Sequence, residues 1–318
     1  MAPRGWSEWR RIAGWSPAAA VLAETLDGGQ AFRWRQEADG IWTGAWSDCV
    51  AQLRLADNTL EWRAPLALEA RVAAELPRYL GHEHDWAALA DALPWRSDAH
   101  LAQCVSVFRD LRLLRQPFGE TLLGFLCSAT KQIVQIKQMV ALLAERHGAP
   151  LTGEVAAADG RAGPLGPPRT SLQSAQRSDP TLHRLPTWSE LAAIPEADLR
   201  ACLLGFRARY IRETALFIAA RPGWLEATEA APYPEAKARL LELPGVGEKV
   251  ADCVLLFGAG QLEAFPVDTW ILKSLARRYG LEGWKPSQVA HFGRTHFGPL
   301  AGLAQQYLFA WERRHGGR

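Results

Sequence analysis

The chain has 318 residues, 48% of them hydrophobic and 22% charged, and its formal net charge is +2. This length allows two or three domains with sizeable cores, and no run of about 18 uncharged apolar residues is present to span a membrane. The charged N-terminus lacks the apolar segment of a signal peptide, so we expect an intracellular protein. The five cysteines are widely spaced without a CxxC pair, which favours reduced thiols and argues against a zinc site.

The first part of the chain predicts an antiparallel sheet. Between about residues 30 and 63, short segments alternate apolar and polar residues and are separated by the turn formers EADG and ADN. These segments are QAFRWR, GIWTGAWS, VAQLRLA and TLEWRA. We predict a small N-terminal antiparallel β domain with flanking helices over residues 1–100.

After about Leu66, apolar residues recur three and four positions apart, which is typical of amphipathic helices. The clearest segments are LAQCVSVFRDLRLL, ETLLGFLCSA, KQIVQIKQMVALLAERHG, ARYIRETALFIAA and SLARRYG. Residues 149–186 are rich in Pro, Gly, Ser and Ala and predict a flexible insertion. The predicted fold class is therefore α+β, mainly α, with a helical body over residues 101–318.

The charge distribution is more informative than the net charge. From Lys273 to Arg318 the chain has eight Lys or Arg residues and two acidic residues, a local excess of six. Such a segment suits a polyanionic partner, although a solvated helix face would give the same count.

A glycine hairpin follows the helical segment EAKARLLEL, in the stretch LPGVGEKVADC. Gly245 and Gly247 flank Val246, but there is no third glycine for a dinucleotide fingerprint. Glu248 and Val250 occupy the positions that a nucleotide phosphate loop needs for Gly and Ser/Thr. The pattern indicates helix, hairpin, helix, in which backbone amides at the helix start grip one phosphate of a nucleic acid. A plain helix-turn-helix corner is the alternative.

Five further residues accompany the hairpin. Lys249 and Cys253 are four positions apart and share a helix face, while Asp252 can stay solvated or pair elsewhere. In FPVDTWILK, Pro266 ends the incoming segment and Asp268 is placed to cap the next helix. Alternatively, this loop returns the Asp268 carboxylate to the side of Lys249.

These residues resemble the helix-hairpin-helix DNA glycosylases and, within that superfamily, the 8-oxoguanine DNA glycosylases. Six segments occur in the family's order: GGQAFRWR, LRLLRQPFGETLLGFLCSA, LGFRARY, LPGVGEKVADC, FPVD and GPLAGLAQQYLF. The resemblance implies a bifunctional DNA glycosylase and AP lyase that excises 8-oxoguanine from duplex DNA in base excision repair. It also implies a monomer that works with the DNA, without a membrane and without a cofactor. The absence of four cysteines near the C-terminus excludes the iron–sulfur branch, and Lys249 argues against the alkylation-repair branch.

The resemblance assigns roles in the base pocket. Lys249 would attack the sugar carbon and form a Schiff base, while Asp268 would stabilise the cationic sugar. The Gly29 carbonyl would accept the hydrogen that oxidation places on N7 of the base. The remaining base-binding residues would be Cys253 and Phe309, which sandwich the base, Gln305, which bonds to its pairing edge, and Pro266. Ordinary core positions are the alternative for Cys253 and Phe309.

The residues expected to contact DNA outside the pocket are Gly245, Val246, Gly247, Thr130, Phe206, Arg207 and Lys273. Phe206 would wedge into the base stack and Arg207 would contact the orphaned strand. The chain departs from the family where an asparagine normally fills the gap and an arginine reads the opposite cytosine, because it has Thr130 and Gln135 there. We therefore predict a weaker preference for cytosine opposite the lesion. Trp270 also replaces a phosphate-binding histidine, a role that Lys273 could take.

Two other functions stay open from the sequence. A non-catalytic DNA-binding module would use the hairpin as a backbone clamp and have no need of Lys249 with Asp268. A glycosylase for another oxidised or alkylated base would keep both residues.

Overall fold

The computed structural model describes residues 5–151 and 182–316. Most of the predicted flexible insertion at 149–186 lies outside these ranges. The described ends of that segment pair with each other, since the Leu151 N–H donates to the Leu182 carbonyl at 2.6 Å and the Arg184 N–H donates to the Ala149 carbonyl at 2.8 Å. None of the helices in the described ranges is long and apolar enough to cross a bilayer.

Five antiparallel strands form one sheet in the order β1-β5-β4-β3-β2. The strands are β1 Arg10–Arg11, β2 Trp34–Gln36, β3 Trp42–Trp46, β4 Cys49–Ala56 and β5 Thr59–Arg63. Strands β2 to β5 confirm the sheet predicted from alternating apolar residues. The edge strand β1 was not predicted, because two residues are too few to show an alternating pattern.

The rest of the described chain is mainly helical, which confirms the predicted α+β, mainly α class. The helices are α1 Ala19–Asp27, α2 Glu69–Tyr79, α3 Trp86–Ala92, α4 Ala99–Val107, α5 Phe118–Leu126, α6 Ile133–His147, α7 Trp188–Ala193, α8 Glu196–Leu199, α9 Arg207–Ala219, α10 Trp224–Ala230, α11 Tyr233–Leu241, α12 Glu248–Phe257, α13 Thr269–Tyr279, α14 Pro286–Phe297 and α15 Ala301–His315.

One predicted helix is only half right. The segment LAQCVSVFRDLRLL is helical up to Val107, but residues 111–114 at its end belong to neither a helix nor a strand. Their main chain bonds to a distant side chain instead of forming helix turns: the Gln30 amide donates to the Arg112 carbonyl, and its oxygen accepts the Leu114 N–H, both at 2.9 Å. Leu111, Leu113 and Leu114 are nevertheless buried. Their apolar pattern continues that of the preceding helix, which is why a longer helix was predicted. This segment anchors the turn that contains Gly29.

The buried apolar residues form two main clusters. One lies between the sheet and helices α1 and α2, and it includes the rings of Trp46 and Tyr79, stacked at 4.4 Å. The other lies among the helices from α3 onward. Val21 from α1 belongs to the helical cluster and Leu114 belongs to the sheet cluster. Because the clusters share elements in this way, the boundary at residue 100 stays a prediction.

Candidate active site

The hairpin, residues 243–247, joins α11 to α12. Gly245 has φ +79°, and a Cβ there would lie 2.8 Å from the Tyr210 side chain, so both the conformation and the contact require glycine. Gly247 precedes the first turn of α12, and a Cβ on it would meet no atom within 4 Å. Val246 differs, because its side chain is buried and its N–H donates to the Leu243 carbonyl at 3.1 Å. The donors open to a phosphate are therefore those at the start of α12.

A buried charge cluster holds α12 against α11. The Lys237 ammonium lies 2.5 Å from Glu248 Oε2 and 3.0 Å from Asp252 Oδ1, and the Tyr233 hydroxyl donates to Asp252 Oδ1 at 2.8 Å. Burial raises the pKa of the Asp252 carboxyl, and the contacts with Lys237 and Tyr233 oppose that shift. Of the two sequence-based alternatives for Asp252, the structure shows the paired one.

Lys249 is partly buried on the second residue of α12. Its Nζ donates to Ser128 Oγ at 3.4 Å and lies 4.9 Å from the centre of the Phe125 ring. Cys253 lies one turn further along the same face, where burial raises the pKa of its thiol to about 12. The thiol is therefore neutral near pH 7 and does not compete with the amine as a nucleophile. Nothing in the sequence pattern pointed to Ser128 as a partner of the lysine.

Asp268 caps helix α13, as predicted, because the Ile271 N–H donates to its Oδ1 at 2.8 Å. Burial raises the pKa of the Asp268 carboxyl, and this N–H and the nearby Lys249 charge lower it in part. The same carboxyl also lines the pocket that holds Lys249. The capping role and the position beside the lysine are thus both present.

One pocket collects the residues assigned to catalysis and base binding. It is lined by Gly29, Phe125, Lys249, Cys253, Phe257, Pro266, Asp268, Gln305, Gln306 and Phe309. All seven predicted pocket residues are among these ten. Phe125, Phe257 and Gln306 were not predicted, since the two phenylalanines read as core residues of helices. Phe125 and Phe257 stack at 5.7 Å, and the Gln306 amide donates to Gln305 Oε1 at 2.6 Å.

One wall of the pocket is a turn whose backbone favours glycine. Gly29 has φ +100°, and a Cβ there would lie 3.2 Å from Ile133 Cδ1 and 3.6 Å from Phe309 Cε1. An ion pair between Asp27 and Lys137, at 2.7 Å, fixes the start of this turn to α6. A Cβ on Gly29 would therefore be in contact with Phe309 and tight against Ile133, so a side chain there would intrude on the pocket.

The predicted DNA contacts outside the pocket differ in exposure. Thr130 is exposed with φ +56°, Phe206 is 52% exposed, and Lys273 is exposed on α13. Arg207 is only 3% exposed, and its guanidinium donates to the carbonyls of Ala129 and Leu204 and, at 3.0 Å, to Thr130 Oγ1. A contact between Arg207 and the orphaned strand stays a prediction, and it would require some of these bonds to open.

Curated relatives and a family profile agree on one kind of protein. Residues 15–122 match the family described as "8-oxoguanine DNA glycosylase, N-terminal domain". A "Probable N-glycosylase/DNA lyase" of Methanothermobacter thermautotrophicus is 41% identical over 119 residues, which are 37% of this chain and 38% of that protein. The "N-glycosylase/DNA lyase OGG1" of Arabidopsis thaliana is 29% identical over 308 residues, which cover 92% of this chain and 77% of the relative.

A solved structure extends the similarity over nearly the whole fold. The 8-oxoguanine glycosylase/lyase of Clostridium acetobutylicum, in complex with double-stranded DNA containing cytosine opposite 8-oxoguanine, superposes with a TM-score of 0.78. It is 27% identical, and the match covers 93% of this chain and 92% of that one. The profile, these relatives and the solved structure agree, and the chain is similar to 8-oxoguanine DNA glycosylases of the helix-hairpin-helix superfamily.

Proposed function

We propose that this protein is a bifunctional DNA glycosylase and AP lyase that excises 8-oxoguanine from duplex DNA. The observation that carries the proposal is the single pocket in which Lys249 and Asp268 meet the predicted base-binding residues. All of these side chains come from one chain, which supports action as a monomer. Its place of action is the cell's DNA.

Base recognition requires the damaged nucleotide to leave the stack, because no side chain reaches the glycosidic bond of a paired base. The extruded base would lie between Cys253 and Phe309, with Gln305 at its pairing edge. The Gly29 carbonyl would accept the N7 hydrogen that guanine lacks. Leaving this carbonyl unpaired costs about 1 to 3 kcal/mol, which is enough to favour the oxidised base. Gln306 holds the Gln305 amide in one orientation through their 2.6 Å bond.

The chemistry would begin at Lys249. Its neutral amine attacks C1′ of the sugar while the bond from C1′ to the base breaks, and the base departs with that electron pair and gains a proton. The Asp268 carboxylate stabilises the positive charge that develops on the sugar. Ring opening then gives a Schiff base on Lys249. Loss of a proton from C2′ expels the 3′ phosphate, which is the lyase step.

The hairpin supplies the phosphate grip. The open amides at the start of α12 and the positive end of its dipole favour one backbone phosphate. Glu248 lies at the same helix end and would repel that phosphate, but Lys237 pairs with it at 2.5 Å. This pairing supports a phosphate site beside the lysine nucleophile.

Borohydride trapping on a duplex that contains one 8-oxoguanine tests the proposal. The wild-type protein should release the base and give a covalent protein–DNA adduct, and Lys249→Gln should give neither. Lys285→Gln removes an exposed lysine from the start of α14 and should leave both signals intact.

Each alternative function predicts a different outcome in this assay. Binding of the duplex without any adduct would support a non-catalytic DNA-binding module. Adducts formed only on DNA with a preformed abasic site, with no base released from any 8-oxoguanine pair, would indicate a different damaged base.

A further inference from the structure

Leu203 has an unusual conformation for its residue type. It follows the turn that ends at Cys202 with φ +63° and ψ +15°, the left-handed region, and its side chain is 52% exposed. Glycine or asparagine normally takes this position after a helix, because a Cβ is unfavourable there. An exposed leucine neither relieves the backbone nor adds to a core. Its side chain therefore needs another explanation.

The leucine has aromatic neighbours that are exposed as well. We call residues 203–206 the wedge loop; Phe206 at its end is 52% exposed, and Tyr210 on the next turn is 37% exposed. The rings of Phe206 and Tyr210 meet edge to face at 6.1 Å. The Arg207 guanidinium supports the Phe206 ring from 4.4 Å. The loop therefore exposes two large apolar side chains, Leu203 and Phe206, beside the buried Arg207.

Contacts connect the wedge loop to the candidate active site. Arg207 donates to the Leu204 carbonyl on one side and to the Ala129 carbonyl on the other. Ala129 follows Ser128, whose hydroxyl accepts a hydrogen bond from Lys249. A nucleotide that reaches Lys249 would therefore leave its gap in the duplex next to this loop.

The other side of that gap offers little to fill it. Thr130 has a short side chain, and its hydroxyl already accepts a hydrogen bond from Arg207 at 3.0 Å. Its own φ of +56° is also left-handed. Thr130 thus helps to hold the loop, and a larger side chain is still needed in the stack.

We propose that Leu203 is a second intercalating residue, which enters the base stack beside Phe206 when the lesion is extruded. Apolar side chains stabilise an opened duplex by replacing the lost stacking contacts. In its left-handed conformation the Leu203 side chain is 52% exposed and so is free to enter the stack. The proposal rests on the proposed function, since it needs a duplex from which a base is removed.

The first measurement is thermal unfolding of Leu203→Gly and Leu203→Asn. Both residues accept the left-handed conformation, and the lost side chain is exposed, so the midpoints should stay within about 2 °C of the wild type or rise. A clear fall in both midpoints would assign Leu203 to the fold and overturn the proposal. Leu66→Asn is the matched control, because Leu66 is 61% exposed in the turn that follows strand β5.

The second measurement compares two DNA substrates. Excision of 8-oxoguanine paired with cytosine, in single turnover, should fall about tenfold or more in both Leu203 variants, since replacing stacking at an opened step is a matter of a few kcal/mol. Borohydride trapping on a duplex with a preformed abasic site should change less than about threefold, because no base pair has to open. Leu66→Asn should match the wild type on both substrates.

The outcomes separate this proposal from the proposed function. If the wild-type protein releases no 8-oxoguanine, the proposed function fails before any Leu203 variant is compared. If the wild type is active and the variants equal it, the intercalation is refuted. An equal loss on both substrates would refute it too, since Leu203 would then act on the active site as a whole.

Discussion

The hairpin side and the wedge-loop side of the candidate site are built in opposite ways. At the hairpin, the left-handed backbone position is the glycine Gly245, and Lys237 pairs with both the exposed Glu248 and the buried Asp252 of α12. At the wedge loop, left-handed backbone falls on Leu203 and on Thr130 opposite, and the apolar side chains are exposed. The relaxed side holds the groups that perform chemistry, and the strained side faces the place where a duplex must open.

The two sides should tolerate substitution differently. On the hairpin side, structure and function share the same buried contacts, so most substitutions should affect stability. On the wedge-loop side, the exposed groups contribute little to stability, so substitutions should affect activity alone. Asp268 tests this distinction. It lies on the hairpin side, and burial raises the pKa of its carboxyl, which disfavours the charged form.

The largest effect is expected for Asp268→Asn. Removing the carboxylate that stabilises the sugar cation should lower single-turnover excision about 10²- to 10³-fold. Burial raises the pKa of this carboxyl, so its contribution to stability is favourable below the unfolded pKa and is lost as the pH rises through the folded pKa. Asparagine caps a helix as well as aspartate does. The variant should therefore unfold at the same temperature or higher near pH 7.

The matched control for this prediction is Asp85→Asn, which changes the capping residue of α3, where the Ala88 N–H donates to Asp85 Oδ1 at 3.0 Å. It should alter neither excision nor the unfolding midpoint. A midpoint several degrees lower in Asp268→Asn alone would show that the ionised carboxylate stabilises the fold, against the direction inferred from its burial.

Lys237→Met should give the next largest effect, on stability. It leaves the buried Asp252 carboxylate without its cation, and breaking a buried pair costs about 3 kcal/mol. The unfolding midpoint should fall by about 6 to 12 °C. Arg239→Met on the same helix removes only an exposed pair with Glu235 and should cost less than about 1 kcal/mol. Equal losses in the two variants would contradict the importance of the buried cluster.

The sequence predicted the hairpin side better than the wedge-loop side, and for a physical reason. The glycines Gly245 and Gly247 predict a tight turn, because glycine adopts left-handed backbone conformations without a steric penalty. Leucine at Leu203 gives no sequence signal of a left-handed backbone, because leucine rarely adopts that conformation. The strands were likewise predictable from their alternating side chains. Residues 111–114 were wrongly predicted as helical, because their buried leucines continue the apolar pattern of the preceding helix.

The pocket itself followed from resemblance and not from pattern. Cys253 and Phe309 are ordinary apolar positions when each is considered alone, and only the family's motif order placed them beside a base. The residue that orients Gln305 was not predicted either. Gln306 donates to Gln305, its neighbour in the chain, but adjacent residues on a helix usually face different directions.

Gly29→Ala should lower excision about 10- to 100-fold, an effect of about 1.4 to 2.7 kcal/mol on the barrier. Alanine is strained at φ +100°, and its methyl group would lie 3.6 Å from Phe309 inside the pocket. Gly40→Ala is the control, because Gly40 has φ +84° and open space around it. The two variants share the backbone strain, so a similar loss of excision in both would rule out a specific role for Gly29 in the pocket.

The smallest effect is expected for the base opposite the lesion. One good base contact discriminates by about 1 to 3 kcal/mol, but the Gln135 side chain accepts the Gln132 N–H at 3.3 Å and caps α6. Arg207 is also committed to the loops that it joins. Single-turnover excision opposite C, A, G and T should therefore show a preference for cytosine below about tenfold, and a preference on the order of a hundredfold would contradict this interpretation.

Gln135→Arg should raise the preference for cytosine, because it places a cationic hydrogen-bond donor at an exposed position near the start of α6. Val134→Arg adds the same charge at the neighbouring position, where the side chain is 76% exposed. If position 135 reads the opposite base directly, only Gln135→Arg will discriminate in favour of cytosine, while both variants will bind DNA more tightly at low salt. If the two variants raise the preference equally, the added charge acts through the phosphates, and the weak discrimination would have to originate in the wedge loop itself.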